Sequence, residues 1–198
     1  MGLIIETIVT TTNPDGSVNI APMGPRIDVE QFEQFELRPF EESQTLRNLI
    51  RTGQGVLHIT DDATLFVQSA LRSWDPRPAT EPATAVSGHV LVDCCRWYEF
   101  EIQSHLPTEP RHTLIGRSVH SGRRRDFLGF NRARHALIEA AILATRIDFL
   151  PFDEIERTVS QLASRIEKTG GTKEQQALQQ VIDFVHQHRH ADPTGRPK

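Results

Sequence analysis

β-Branched residues concentrate in two short runs near the start of the chain. Ile4 to Thr11 is the first, and it stops at Asn13-Pro14-Asp15-Gly16. Proline presets φ and Asp-Gly accepts positive φ, so this tetrad predicts a hairpin turn. Val18 to Ala21 resumes as a strand and ends in Pro22-Met23-Gly24-Pro25. Proline cannot donate to a sheet ladder, which predicts an edge, a bulge or a bend there. The pattern then turns helical over Gln44 to Arg51, stops at Gly53 and drops into an apolar strand, Val56 to Ile59. Asp61-Asp62 reads as a turn or N-cap pair, Ala63 to Arg72 as a short helix, and Ser73 to Ser87 as a proline-rich loop. His89 to Leu106 and Thr113 to His120 read as strands, with room for a bulge near Arg96-Trp97. About six strands separated by turn signals are enough for a small barrel.

From Asp126 onward the period is that of a helix. Ala133, Leu137, Ala140, Ala141 and Ala144 repeat at three and four residues. Asp153 and Glu156 form a capping-box-like pair ahead of a second apolar stripe at Ile155, Val159, Leu162 and Ile166. Gly170-Gly171 ends that helix, and Lys173 to His188 is a third. The last two are expected to form a helical hairpin. The predicted division is a barrel over 1–125, a helical extension over 126–191 and a frayed tail over 192–198.

Composition narrows the class. The chain has 198 residues, 37% hydrophobic and 24% charged, which is the balance of a globular protein. Its net charge of −4 argues against bulk attraction to nucleic acid. No apolar run is long enough to span a bilayer. The start of the chain lacks the basic and apolar regions of a secretory signal, so the expected location is the cytoplasm.

Candidate chemistry centres on Thr45 and Asn48. Three residues apart on a helix, they share a face that carries a hydroxyl and an amide, with Arg47 beside it. A helix N-terminus adds its own positive dipole, so the group suits an anionic ligand. The glycine in Pro22-Met23-Gly24 lets another molecule approach the backbone. On residues alone the same stretch reads first as an ordinary hairpin with a proline-rich turn, with a cofactor site as the alternative. Arg123-Arg124-Arg125 reads either as a phosphate clamp or as a solvated basic turn. Trp74 reads as a local loop anchor, with stacking on a ring as the alternative. Adjacent Cys94 and Cys95 point to opposite faces of a strand and read as ordinary thiols rather than a redox pair. His186, His188 and His190 alternate on a helix and do not converge, so no metal site is expected.

The ordered motifs carry a resemblance. Asn19-Ile20-Ala21-Pro22-Met23-Gly24, then Thr45-Leu46-Arg47-Asn48-Leu49, then Thr52-Gly53-Gln54-Gly55-Val56-Leu57-His58-Ile59 resemble the flavin reductase-like, FMN-binding split-barrel superfamily. The later run Gly129-Phe130-Asn131-Arg132-Ala133 through Thr145-Arg146 is similar to an uncharacterised, domain-of-unknown-function branch with a helical C-terminal extension. The resemblance implies a Greek-key-like split β-barrel plus α segment, a homodimer with FMN near the interface, and NAD(P)H as an electron source. It places the phosphate near Thr45, Arg47 and Asn48 and the flavin ring against Pro22, Met23 and Gly24; His58 is the titratable candidate by position, but reads first as a strand residue with a structural hydrogen bond. The chain departs from the pattern at Ser43-Gln44, where Lys-Asp is common, at Gln54-Gly55, where Glu-Phe is common, and at His58, where Asn is common. Three functions follow as alternatives: a flavin-dependent oxidoreductase, a flavin carrier or sensor, and a barrel that has lost flavin.

Overall fold

The computed structural model describes residues 2–28 and 32–191, without the side chains of 189–191. The expected tail at 192–198 and the His190 side chain lie outside the described residues. The strands are β1 Leu3–Ile4, β2 Thr7–Thr12, β3 Val18–Met23, β4 Arg26–Ile27, β5 Gln34–Leu37, β6 Gln54–Ile59, β7 Thr80–Pro82, β8 His89–Leu91, β9 Arg96–Leu106 and β10 Thr113–Arg123. The helices are α1 Gln44–Thr52, α2 Ala63–Leu71, α3 Arg132–Ala144, α4 Phe152–Thr169 and α5 Thr172–Ala191.

Contacts divide the chain into two compact units. One comprises 1–61 and 76–127, the other 62–75 and 128–198. The helical unit thus takes α2 from within the first 125 residues. Ala63, Val67 and Leu71 of α2 are buried in the same core as the alanines of α3.

The first unit is an eight-stranded antiparallel sheet in the order β1-β4-β5-β10-β9-β6-β2-β3. It curls into the open barrel expected from the strand pattern. Two-residue alternation decides what each face carries. Val9 lies opposite Leu57, Leu57 opposite Tyr98 and Gly55 opposite Phe100, and this face holds the core with Phe35, Leu37, Leu46, Leu49 and Leu114. A Cβ at Gly55 would fall 2.7 Å from the Phe100 ring, so glycine at this departure from the family pattern makes room for that ring. On the other face Thr10 lies opposite Val56 and His58 opposite Trp97, with Glu99 beyond Val56.

Several expectations need correction. The single strand expected over His89–Leu106 breaks at 92–95 into β8 and β9, upstream of the bulge site considered. The Ser73–Ser87 loop contains β7, paired antiparallel with β8. Strands β4 and β5 are additions: β4 is too short to show alternation, while Gln34-Phe35-Glu36-Leu37 of β5 does alternate, burying Phe35 and Leu37. The expected cap at Asp153 does not form: Pro151 is the N-cap of α4 without a side-chain bond, and Asp153 sits in the first turn. Proline's preset φ and the dipole's preference for acidic residues serve the same start.

Candidate functional site

Helix α1 begins and ends on local signals. The Ser43 side chain accepts from the Leu46 N–H, and Gly53 closes the helix at φ 68° with its N–H donating to the Leu49 carbonyl. Thr45 and Asn48 do share one face, and both are buried. That face turns onto the β2–β3 hairpin. Asn48 Nδ2 donates to Thr11 Oγ1 at 3.0 Å and to Asn13 Oδ1 at 2.8 Å, and its Oδ1 accepts from Gln44 Nε2 at 3.0 Å. Asn19 Nδ2 donates to Thr45 Oγ1 and to Thr11 Oγ1, both at 3.1 Å. The amide and hydroxyl read from sequence as ligand groups thus bind the helix to the hairpin. Asn48→Ala removes three side-chain hydrogen bonds from a buried position, and stability measured by urea unfolding is expected to fall by about 2 kcal/mol.

Arg47 lies on the outer side of α1. It is exposed, and its guanidinium curls over the start of the helix, donating to the Glu42 carbonyl at 2.7 Å and to Gln44 Oε1 at 3.0 Å. These are contacts that an arriving anion can replace. Pro22 sits on β3 at the edge of the sheet, opposite Ile8, where a missing N–H breaks no ladder between strands. The Met23 carbonyl accepts from Thr7 Oγ1 at 2.7 Å, and a Cβ on Gly24 would lie 3.0 Å from Ile4. Two residues further on, Arg26 pairs with Glu36 through Nη1 at 3.2 Å, while its Nε is buried without a hydrogen-bond partner, close in sequence to this strand end. A cation at the α1 N-terminus and an orphaned guanidinium N–H after β3 fit an anionic cofactor.

His58 does not belong with them. It is fully buried, with Nδ1 3.2 Å from the Ile8 carbonyl and Nε2 accepting from the Leu91 N–H at 3.0 Å. The second contact requires an unprotonated Nε2, so Nδ1 carries the proton and donates. Burial pushes the ring's pKa down to about 4. Both nitrogens are engaged, and the residue is a cross-link from β6 to β2 and β8.

The three arginines resolve against the clamp reading. Arg123 pairs with Asp126 and Arg124 with Glu81. Arg125 bridges Asp61 at 2.7 Å and Asp93 at 3.1 Å, which raises its already high pKa. Each guanidinium has a carboxylate partner. Beside them, burial pushes the Cys94 thiol up to about 11 and raises Cys95 as well, so both stay as thiols and neither is an activated nucleophile.

Glu99 went unrecognised in the sequence. It is fully buried on β9 and accepts from the backbone N–H groups of Thr84, Ala85 and Val86 and from Trp97 Nε1. Burial alone would raise its carboxyl; the Thr84 and Ala85 N–H groups lead the bonds that bring it below the ordinary value. Gln54, another departure from the family pattern, accepts from the Ser87 N–H at 2.9 Å. Ala83 donates to Gly88, and Gly88 to Val86. Every backbone N–H from Ala83 to Gly88 therefore has an acceptor, supplied largely by two side chains of the sheet.

The curled sheet, the hairpin-bound α1 and the C-terminal helices define a flavin reductase-like split barrel with a helical unit. The chain belongs to the DUF447 family of proteins of unknown function: the family's N-terminal domain matches residues 5–125 and its second model residues 131–183. An FMN-bound protein of this family from Methanosarcina mazei superposes with a TM-score of 0.81 at 22% identity, over 93% of this chain and 96% of that one. The 2-nitrobenzoate 2-nitroreductase of Pseudomonas fluorescens matches at 0.51 and 19% identity, over 63% and 66% of the two chains. Flavoredoxin of Desulfovibrio vulgaris matches at 0.52 and 13%, over 61% and 70%. Among the described residues no helix is long and apolar enough to cross a membrane.

Proposed function

We propose that this chain binds FMN and is a flavin-dependent oxidoreductase. The observation that carries the reading is the match over 93% of its length to an FMN-bound member of its own family. Residues suited to both ends of the cofactor support it. Arg47 and the first turn of α1 would hold the phosphate, while Thr45 and Asn48 fix that turn against the hairpin. The backbone at Pro22, Met23 and Gly24 would lie against the flavin ring. When bound, the flavin supplies hydride and electron transfer, and the protein supplies orientation and electrostatics. A homodimer with FMN near its interface and a reduced nicotinamide as donor complete the proposal.

A second reading, a flavin carrier or sensor, draws on His58. The one titratable side chain expected at the site is locked by two buried hydrogen bonds and offers no proton to a substrate. Anaerobic mixing with NADH or NADPH separates the readings. Bleaching of bound flavin faster than free FMN supports the oxidoreductase; bleaching no faster supports the carrier. Arg47→Ala is expected to weaken FMN binding by roughly 1.5–3 kcal/mol, the range for a charge-assisted hydrogen bond. Unchanged affinity in a fluorescence titration removes Arg47 from the site.

A further inference from the structure

Helix α1 opens on Gln44, with no acidic residue in its first turn. An acidic side chain at this position would meet the positive end of the helix dipole. It would also stand three residues before Arg47, at the spacing of an ion pair on a helix. Glutamine forgoes both interactions. The residue departs from the local rule, and its contacts show what it does instead.

The half-buried amide uses both of its ends. Oε1 accepts from Arg47 Nη2 at 3.0 Å and from Arg47 Nε at 3.3 Å, so it holds the guanidinium by one edge. Nε2 donates to Asn48 Oδ1 at 3.0 Å, and Asn48 in turn donates to Thr11 and Asn13 of the hairpin. An unbroken path of side-chain bonds thus runs from the sheet to Arg47. A carboxylate at position 44 could not complete it, because it has no N–H for Asn48 Oδ1. Glu42 meets Arg47 through its backbone carbonyl, so every acceptor holding this guanidinium is neutral. Arg123, Arg124, Arg125 and Arg134 by contrast each face a carboxylate. Arg47 is held in place and keeps its charge.

We propose that Gln44 is the positioning residue that makes this site select a phosphorylated flavin over its unphosphorylated parent. It orients Arg47 without cancelling the charge. A phosphate then meets a full, fixed cation, whereas the neutral hydroxyl that ends riboflavin draws much less from it. The inference rests on the reading that FMN binds with its phosphate at α1. It adds the source of the selectivity, and it accounts for the neutral pair at Ser43-Gln44.

Fluorescence titrations of the full chain with FMN and with riboflavin test this, in the wild type and in two variants. The wild type is expected to prefer FMN by about tenfold or more, the scale of one charge-assisted contact. Gln44→Glu pairs with Arg47 and is expected to erase most of that preference while riboflavin affinity stays the same. Gln44→Met, uncharged and of similar length, releases Arg47 but leaves its charge, so an intermediate preference is expected. A purely structural role for Gln44 would weaken both flavins alike. Unchanged preference in Gln44→Glu, or equal loss of both flavins in the two variants, overturns the inference and leaves FMN binding standing. A wild type that binds neither flavin overturns the FMN reading itself, and this inference with it.

Discussion

Replacing Glu99 with alanine lowers the unfolding free energy by about 3–5 kcal/mol, the scale of stripping a buried charge from its partners. The magnitude follows from what the carboxylate holds. Three successive backbone N–H groups, Thr84 to Val86, and the Trp97 indole all donate to it. Without Glu99 these donors have no acceptor inside the fold, and the segment must open to water or remain buried and unsatisfied. Urea unfolding gives the loss, and hydrogen exchange at amides 84–86 locates it. A loss below about 1 kcal/mol, small for a group with four donors, contradicts the assignment.

His58→Ala is expected to lower stability by about 3–4 kcal/mol, since it removes a buried ring and orphans the Ile8 carbonyl and the Leu91 N–H. The intact residue also imposes a pH dependence. Its folded pKa, about 4, lies below the ordinary 6.5, so the folded state requires the neutral ring. Below 6.5 the unfolded chain takes up a proton that the folded chain refuses. Stability therefore falls as the pH drops through this window, by about 3 kcal/mol in all, and the loss levels off near pH 4. Glu99 acts lower. Its carboxyl is depressed from 4.5, so its contribution is present above that value and is lost as the pH falls through the folded pKa. A pH series of unfolding curves should show the first loss flattened in His58→Gln and kept in Glu99→Gln. A wild-type profile level between pH 6.5 and 4 contradicts the neutral, buried ring.

Both residues hold the same excursion, β7–β8; a structural hydrogen bond at His58 was legible in the sequence, but its partners and the role of Glu99 were not. Glu99 stands in a run whose apolar partners are Phe100 and Ile102, a pattern that normally marks the solvated side of a strand. Only the tertiary fold shows that side covered by residues 80–91. The paired arginines were unreadable for a related reason: Asp61 lies 64 positions from Arg125. Signals confined to a few residues were legible. Asn13 to Gly16 makes its turn, Ser43 caps α1 and Gly53 ends it because cap and turn chemistry is local. The shared face of Thr45 and Asn48 was likewise readable, as a matter of helix geometry. Its direction, inward onto Thr11, Asn13 and Asn19, depends on where the hairpin lies. In the proposed site Arg47 faces the ligand, and the two buried residues position its helix.

FMN binding is the central claim, and a titration followed by gel filtration tests it most directly. The purified chain, mixed with FMN and separated from free flavin, should elute yellow, with close to one flavin per chain and a visible spectrum shifted from that of free FMN. A colourless protein that remains colourless after this treatment contradicts the account.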